Sequence, residues 1–206
     1  LQDNVSAINH IHVSDRGRVG TTSLYKEEVD WPALGYVVEN AWMGNVLLDK
    51  LSHLENVNFL TPAEVLSIAT ESDKVAINVK QGEQEKLVTA QLAVIADGAN
   101  SSLRSAIGIE TEIKDYRQTA LIANLSFRRP HKGCAFERFT DEGPMALLPL
   151  SNSEKTEPRS ALVWSLSDER AAHLSCCEDE EFLEALQLQF GNRLGEFTRV
   201  GTRFCY

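Results

Sequence analysis

Residues 92–104 constrain this chain more than any other stretch. Leu92-Ala93-Val94-Ile95-Ala96 is an unbroken apolar run, followed at once by Asp97-Gly98 and then by Ala99-Asn100-Ser101-Ser102-Leu103-Arg104. The run predicts a strand buried on both faces, as in the parallel sheet of an α/β fold. Asp97-Gly98 stops it, and Asn100, Ser101 or Ser102 can cap a short helix. A carboxylate would then sit just past the carboxyl end of a buried strand, with a helix start behind it. Open α/β sheets bind ligands there, and the free N–H groups of a helix start suit phosphate. Turn and cap chemistry alone can produce the same letters for purely local reasons.

The rest of the chain supplies strands and two helices. Residues 8–15 alternate, with Ile11 and Val13 on one face and His10 and His12 on the other, and predict a strand; residues 19–25 return as a second. Two histidines alone fall short of the ligand count of a zinc site, so no metal is assigned. Residues 37–55 have a helical period through Ala41, Gly44, Leu48 and Leu51, with Leu47 and Leu54 beside them, and Asn40 can cap. Gly44 costs about 1 kcal/mol in a helix, so it marks either a close approach or plain packing. Residues 57–60 read as a short strand ended by Pro62. Residues 64–69, 74–80 and 86–89 read as a meander with turns at 70–73 and 81–84, and Gly108 ends the motif helix. Residues 116–127, 135–140, 145–149 and 160–166 predict a second, antiparallel sheet, with a polar loop at 151–159. Ser175 to Glu178 fits a capping box, and Phe182, Ala185, Leu186 and Phe190 share one face of the helix that follows, ending at Gly191. The fold class is therefore mixed α/β (α+β), with a mainly antiparallel second sheet.

Asp97-Gly98-Ala99-Asn100-Ser101-Ser102-Leu103-Arg104 resembles the D-G-x-x-S-x-[LV]-R motif of the FAD-dependent aromatic hydroxylases, the para-hydroxybenzoate hydroxylase-like flavoproteins. Gly35-Tyr36-Val37-Val38-Glu39-Asn40, Ala135-Phe136-Glu137-Arg138-Phe139-Thr140 and Gly143-Pro144-Met145-Ala146-Leu147-Leu148-Pro149-Leu150 resemble the branch that hydroxylates polyprenylated phenols in ubiquinone biosynthesis, and within it the octaprenyl-methoxyphenol hydroxylases. The resemblance runs from about residue 12 to about residue 195. It implies a fragment of an FAD/NAD(P)-binding fold, with residues 26–110 as part of the FAD domain and residues 1–25 and 111–206 as the substrate-domain sheet and helix. It implies an oxidoreductase, an FAD-dependent monooxygenase using NAD(P)H and O₂, in which the cofactor does the difficult chemistry. Asp97, Gly98 and Arg104 would belong to the FAD and NAD(P)H region, Arg104 either facing the cofactor or holding the turn. Asn45 falls where many relatives carry an Arg aimed at the FAD pyrophosphate, and Asn lacks that charge and its bidentate fork. Met145, Leu147, Pro149 and Phe136 would line an apolar substrate pocket. No catalytic base is named by the sequence.

Composition narrows the partners. A formal net charge of −10 argues against nucleic acid. Cys134, Cys176, Cys177 and Cys205 form no C-x-x-C pair, which fits a reducing cytoplasm. No apolar run is long enough to span a bilayer, and no signal peptide is present. A prenylated substrate implies contact at the periphery of the inner membrane and with other ubiquinone-biosynthesis proteins. The chain opens without Met and closes on the apolar segment Phe204-Cys205-Tyr206. It carries neither an N-terminal G-x-G-x-x-G nor a downstream Gly-Asp motif. It therefore reads as the middle of a larger enzyme, expected to hold FAD weakly or not at all and to be inactive by itself. The competing readings are a non-catalytic β-rich binding module and another flavoprotein of the same superfold, a halogenase or a prenyl reductase.

Overall fold

Apolar residues recurring at every second position build the centre of the larger of two compact units. The computed structural model describes residues 4–151 and 156–206. Unit 1 comprises Leu1–Leu48 and Asp115–Tyr206, and unit 2 comprises Asp49–Lys114. In chain order the elements are β1 (Val5–Ile8), β2 (His10–Asp15), β3 (Thr21–Tyr25), β4 (Gly35–Val38), α1 (Asn40–Ser52), β5 (Glu64–Thr70), β6 (Val75–Gln81), β7 (Gln84–Ala90), α2 (Ser102–Ala106), β8 (Thr119–Phe127), β9 (Cys134–Thr140), β10 (Gly143–Pro149), β11 (Arg159–Leu166), α3 (Asp168–Cys176), α4 (Asp179–Phe190), β12 (Phe197–Val200) and β13 (Phe204–Cys205).

Unit 1 holds an eight-stranded sheet in the order β12-β8-β11-β10-β9-β2-β3, with β13 also paired to β8. All pairings are antiparallel except that of β2 with β9. β1 and β4 form a separate antiparallel ribbon. One face of the large sheet is covered by helices. Leu121 and Leu125 of β8, Met145 and Leu147 of β10 and Trp164 of β11 are sealed there with Leu174 of α3 and Phe182 and Leu186 of α4. The hydrophobic effect of this shared interior fixes which face of each strand turns inward.

The sheet and α4 follow the apolar period, whereas several expected boundaries move. The strand expected at 8–15 is interrupted at Asn9, whose N–H is taken by the Gly133 carbonyl at 2.8 Å. Residues 35–38 are strand rather than helix, so α1 begins at Asn40. No residue of α1 is buried, and a Cβ added to Gly44 would meet nothing within 4 Å, so no described backbone approaches it closely. The expected strand at 57–60 is absent. Ser175 caps nothing: it lies in the last turn of α3, where its hydroxyl donates to the Ala172 carbonyl at 2.8 Å. The N-cap of α4 is Glu178, with no side-chain cap hydrogen bond, whereas α3 is capped by Ser167, which accepts the Arg170 N–H at 3.3 Å. Residues 152–155 of the expected loop lie outside the described residues.

Gly143 at the start of β10 has φ +130°, and a Cβ there would collide with the Ser165 carbonyl oxygen of β11. Both the left-handed backbone and the collision oppose any side chain. Gly143→Ala should cost about 1–3 kcal/mol of stability, read as a lower midpoint in urea with the slope unchanged. An unchanged midpoint would contradict it.

Unit 2 is the expected meander, β5-β6-β7, with turns at the expected places. Residues 92–96 do not form the expected buried strand. Leu92 and Val94 are 78% and 80% exposed, while Ala93 and Ile95 are half-buried against a cleft shared with Val65, Ile68, Ile77 and Leu103. An apolar run shows what a strand would bury, but a strand also needs a neighbour for its N–H and C=O groups. Among the described residues none pairs with this segment.

Candidate functional site

The Asp97 turn of unit 2 is built by local rules. Ser101 is the N-cap of α2, its hydroxyl oxygen accepting the Arg104 N–H at 3.0 Å. The helix ends in a paired motif: Gly108 (φ +77°) donates to the Ser105 carbonyl at 3.1 Å and Ile109 to the Arg104 carbonyl at 3.2 Å. With only Ser102–Ala106 in α2, the helix-start phosphate site expected from the sequence shrinks to a single turn, where little dipole accumulates. Gly98 has φ +93°, and a Cβ on it would meet nothing within 4 Å. Its backbone angle, rather than crowding, calls for glycine.

Asp97, Gly98, Ser101 and Arg104 line one pocket with Ile95 and Ile109. Arg104 holds the turn, its Nη2 donating to the Ala99 carbonyl at 2.6 Å. Its Nε is buried and has no hydrogen-bond partner among the described residues. A cation with an unused donor beside an exposed Asp-Gly turn fits one part of a dinucleotide-cofactor site. Asn45 lies on the part of α1 that belongs to unit 1, is exposed, and makes no hydrogen bond among the described residues. No group of three metal-ligating side chains occurs among the described residues.

The expected pocket residues of β10 are interior. Met145 and Leu147 are 0% exposed and Pro149 is fully buried, all on the helix-covered face. Phe136 packs edge-on against Phe190 at 5.7 Å between centroids and is likewise part of the core. A ligand could reach Met145, Leu147 and Pro149 only by displacing α3 and α4, because alternation puts them on the face those helices bury, whereas Phe136 also lines an open cavity of unit 1 with His12 and Cys134.

The other face of the same sheet has a different character. Strand register aligns Val13 of β2, Glu137 of β9, Ala146 of β10, Val163 of β11 and Ile122 of β8 in one row across the sheet. All five are half-buried. Glu137 is the single ionisable group in that row, and its side chain makes no ion pair or hydrogen bond among the described residues. Burial pushes its carboxyl above the ordinary glutamate value of 4.5. At the edge of this face Glu39, which precedes α1, pairs with Arg159 at 2.5 Å. The sequence showed Glu137 only as one beat of an alternation. The available signal was a carboxylate sharing one strand face with Ala135 and Phe139.

With this geometry in place, comparison with known proteins is informative. The profile of the family described as "FAD binding domain" matches residues 24–199. The chain is 31% identical over 203 residues to the uncharacterized protein slr1300 of Synechocystis, covering 98% of this chain and 48% of that protein. It is 34% identical over 173 residues to the ubiquinone hydroxylase UbiL of Rhodospirillum rubrum, covering 84% of this chain and 38% of that protein. It thus spans less than half the length of these relatives. Among solved structures, p-nitrophenol 4-monooxygenase PnpA of Pseudomonas putida superposes with a TM-score of 0.73 at 14% identity, covering 98% of this chain and 51% of that one. At that identity the likeness establishes a shared fold.

Proposed function

Since the chain belongs to the FAD binding domain family, we propose that it serves a flavin-dependent monooxygenase that hydroxylates a polyprenylated phenol in ubiquinone biosynthesis. The observation that carries the reading is the second face of the large sheet: an apolar row with one desolvated carboxylate at Glu137. Apolar walls with a few placed polar groups suit a prenylated ring. Bound FAD, reduced by NAD(P)H, supplies the oxygen activation. The chain's own residues do the rest. Ala146, Val163 and Ile122 take the ring and first prenyl carbons and keep water off. The Glu137 carboxylate accepts a hydrogen bond from the phenol O–H, which pushes electron density into the ring where oxygen will attack. In unit 2, Arg104 and the backbone around Gly98 hold part of the FAD, with Asp97 accepting from its hydroxyls. Asn45 is assigned the weaker, uncharged contact to the pyrophosphate.

We assign residues 26–110 to the FAD-binding part of the enzyme and the large sheet to the substrate part. No described helix is long and apolar enough to cross a membrane, and the prenyl tail is drawn from the bilayer surface by peripheral contact, in company with other enzymes of the route. A halogenase or a prenyl reductase shares the superfold, but UbiL, at 34% identity, carries a hydroxylase name.

The test is FAD retention through gel filtration, followed by flavin absorbance, for the enzyme at the length of its relatives and for this chain. The expected result is stoichiometric flavin in the longer protein and little in this chain. Arg104→Ala in the longer protein should weaken FAD binding about tenfold, the value of one charge-assisted hydrogen bond. Flavin absent from both proteins would make the Asp97 turn structural and favour the binding-module reading.

A further inference from the structure

A further cavity lies in unit 1, lined by β2, β3, the start of β9 and the segment that follows α4. Its volume is about 420 Å³, and its walls include His12, Ser23, Lys132 and Arg193. We propose that it binds a phosphate group, held by the His12 ring and the Arg193 and Lys132 side chains.

His12 is 8% exposed, and its Nε2 is buried without a hydrogen-bond partner among the described residues. Its Nδ1 lies 3.4 Å from the Ser23 hydroxyl oxygen. When Ser23 donates to Nδ1, the proton sits on Nε2 and that N–H is offered to an acceptor. Neither Arg193 nor Lys132 makes an ion pair among the described residues, and no Asp or Glu lines the cavity. That is an uncommon neighbourhood in a chain with 30 acidic and 20 basic residues. The cavity is thus a positive spot on a negative protein, with a buried donor at its back.

The remaining titratable neighbours do not compete for the ligand. His131 is satisfied at both nitrogens: Nδ1 accepts the Gly133 N–H at 3.0 Å, and Nε2 is 3.2 Å from the Leu150 carbonyl. His10 stacks on Tyr25 at 5.4 Å. Arg138 is engaged with the Gln189 carbonyl at 2.8 Å and the Ser14 hydroxyl at 3.1 Å. Burial pushes the Cys134 thiol up to about 11, so it supplies no anion of its own. His12 is held below its ordinary value of 6.5, chiefly by burial and then by Arg193, His10 and Arg138. A bound anion opposes those cations and favours the protonated ring, so binding raises the His12 pKa.

A phosphate group can come from a soluble small molecule or from a lipid headgroup, and one experiment separates them. The His12 ring resonance of this chain is followed by NMR during titration with inorganic phosphate, against sodium chloride of equal ionic strength. In parallel it is followed with phosphatidylglycerol vesicles, against phosphatidylcholine. The expected result is a saturable shift with a raised His12 pKa, weakened about tenfold in Arg193→Ala. Arg193 is exposed, so its loss leaves the core intact. Saturation by phosphate assigns a soluble ligand, and saturation by phosphatidylglycerol vesicles alone assigns a headgroup. A resonance unmoved by either, or a shift undiminished in Arg193→Ala, overturns the proposal.

Discussion

On the hydroxylase reading proposed above, Glu137→Gln, made in the enzyme at the length of its relatives, should lower ring hydroxylation about a hundredfold, at the lower end of the usual worth of a positioned acid–base group. FAD content and NAD(P)H oxidation stay near their starting values, so reductant is consumed without product. The amide keeps the size of the carboxylate but accepts the phenol proton poorly. Burial raises the Glu137 pKa above 4.5, so the ionised, proton-accepting form appears only at higher pH. If Glu137 accepts the phenol proton, activity of the parent enzyme should rise with pH through that raised value, and the acidic limb should disappear in the variant. Stability has the opposite sign. A raised folded-state pKa means the native protein binds more protons than the unfolded one between 4.5 and the raised value, so Glu137 weakens the fold as pH rises. The variant is thus at least as stable at neutral pH, and its lost activity is not lost folding. Equal product formation by the two proteins would remove Glu137 from the chemistry while leaving FAD binding untouched.

Trp164→Ala should unfold unit 1 more readily than any surface change, by about 3–5 kcal/mol. Trp164 is 0% exposed, faces Phe182 of α4 edge-on at 6.5 Å, and joins β11 to the helices that cover the sheet. Truncation leaves a cavity that the surrounding strands cannot collapse to fill. Trp164→Phe provides the contrast. The indole Nε1 is buried without a partner, so removing it forfeits no hydrogen bond and relieves a desolvated donor. The phenylalanine variant should keep most of the stability that alanine loses. Denaturant midpoints for the pair decide this, and equal losses would show that the indole is held by contacts other than packing.

Much of the large sheet was legible because its strands alternate and their turns carry Gly, Pro and Asp. Leu121, Ala123 and Leu125, or Leu162 and Trp164, state their own periodicity. α4 was legible through Phe182, Leu186 and Phe190. α3 was not, because it buries only Ala171 and Leu174 and its remaining letters resemble a loop. Alternation also could not say which face the helices would cover. Met145 and Leu147 therefore looked like pocket residues, although they lie inside the core. Residues 92–96 show the converse limit: hydrophobicity was read correctly, but the pairing partner a strand requires is a non-local fact. The Asp97 turn and its Gly108 stop were legible in sequence, and the structure selects Ser101 as the cap from among Asn100, Ser101 and Ser102.

The one parallel pairing has a consequence for how the chain is made. β2 joins β9 through His10 beside Cys134, whereas β5, β6 and β7 pair only with sequence neighbours. On a ribosome, the meander can close soon after it emerges. The β2–β3 hairpin must wait on the order of ten seconds for β9, at ordinary elongation speeds. Throughout that interval one edge of β2 is an open template for any passing strand. Pauses or truncations between these two strands are therefore where newly made chains should be most exposed to aggregation and to capture by chaperones.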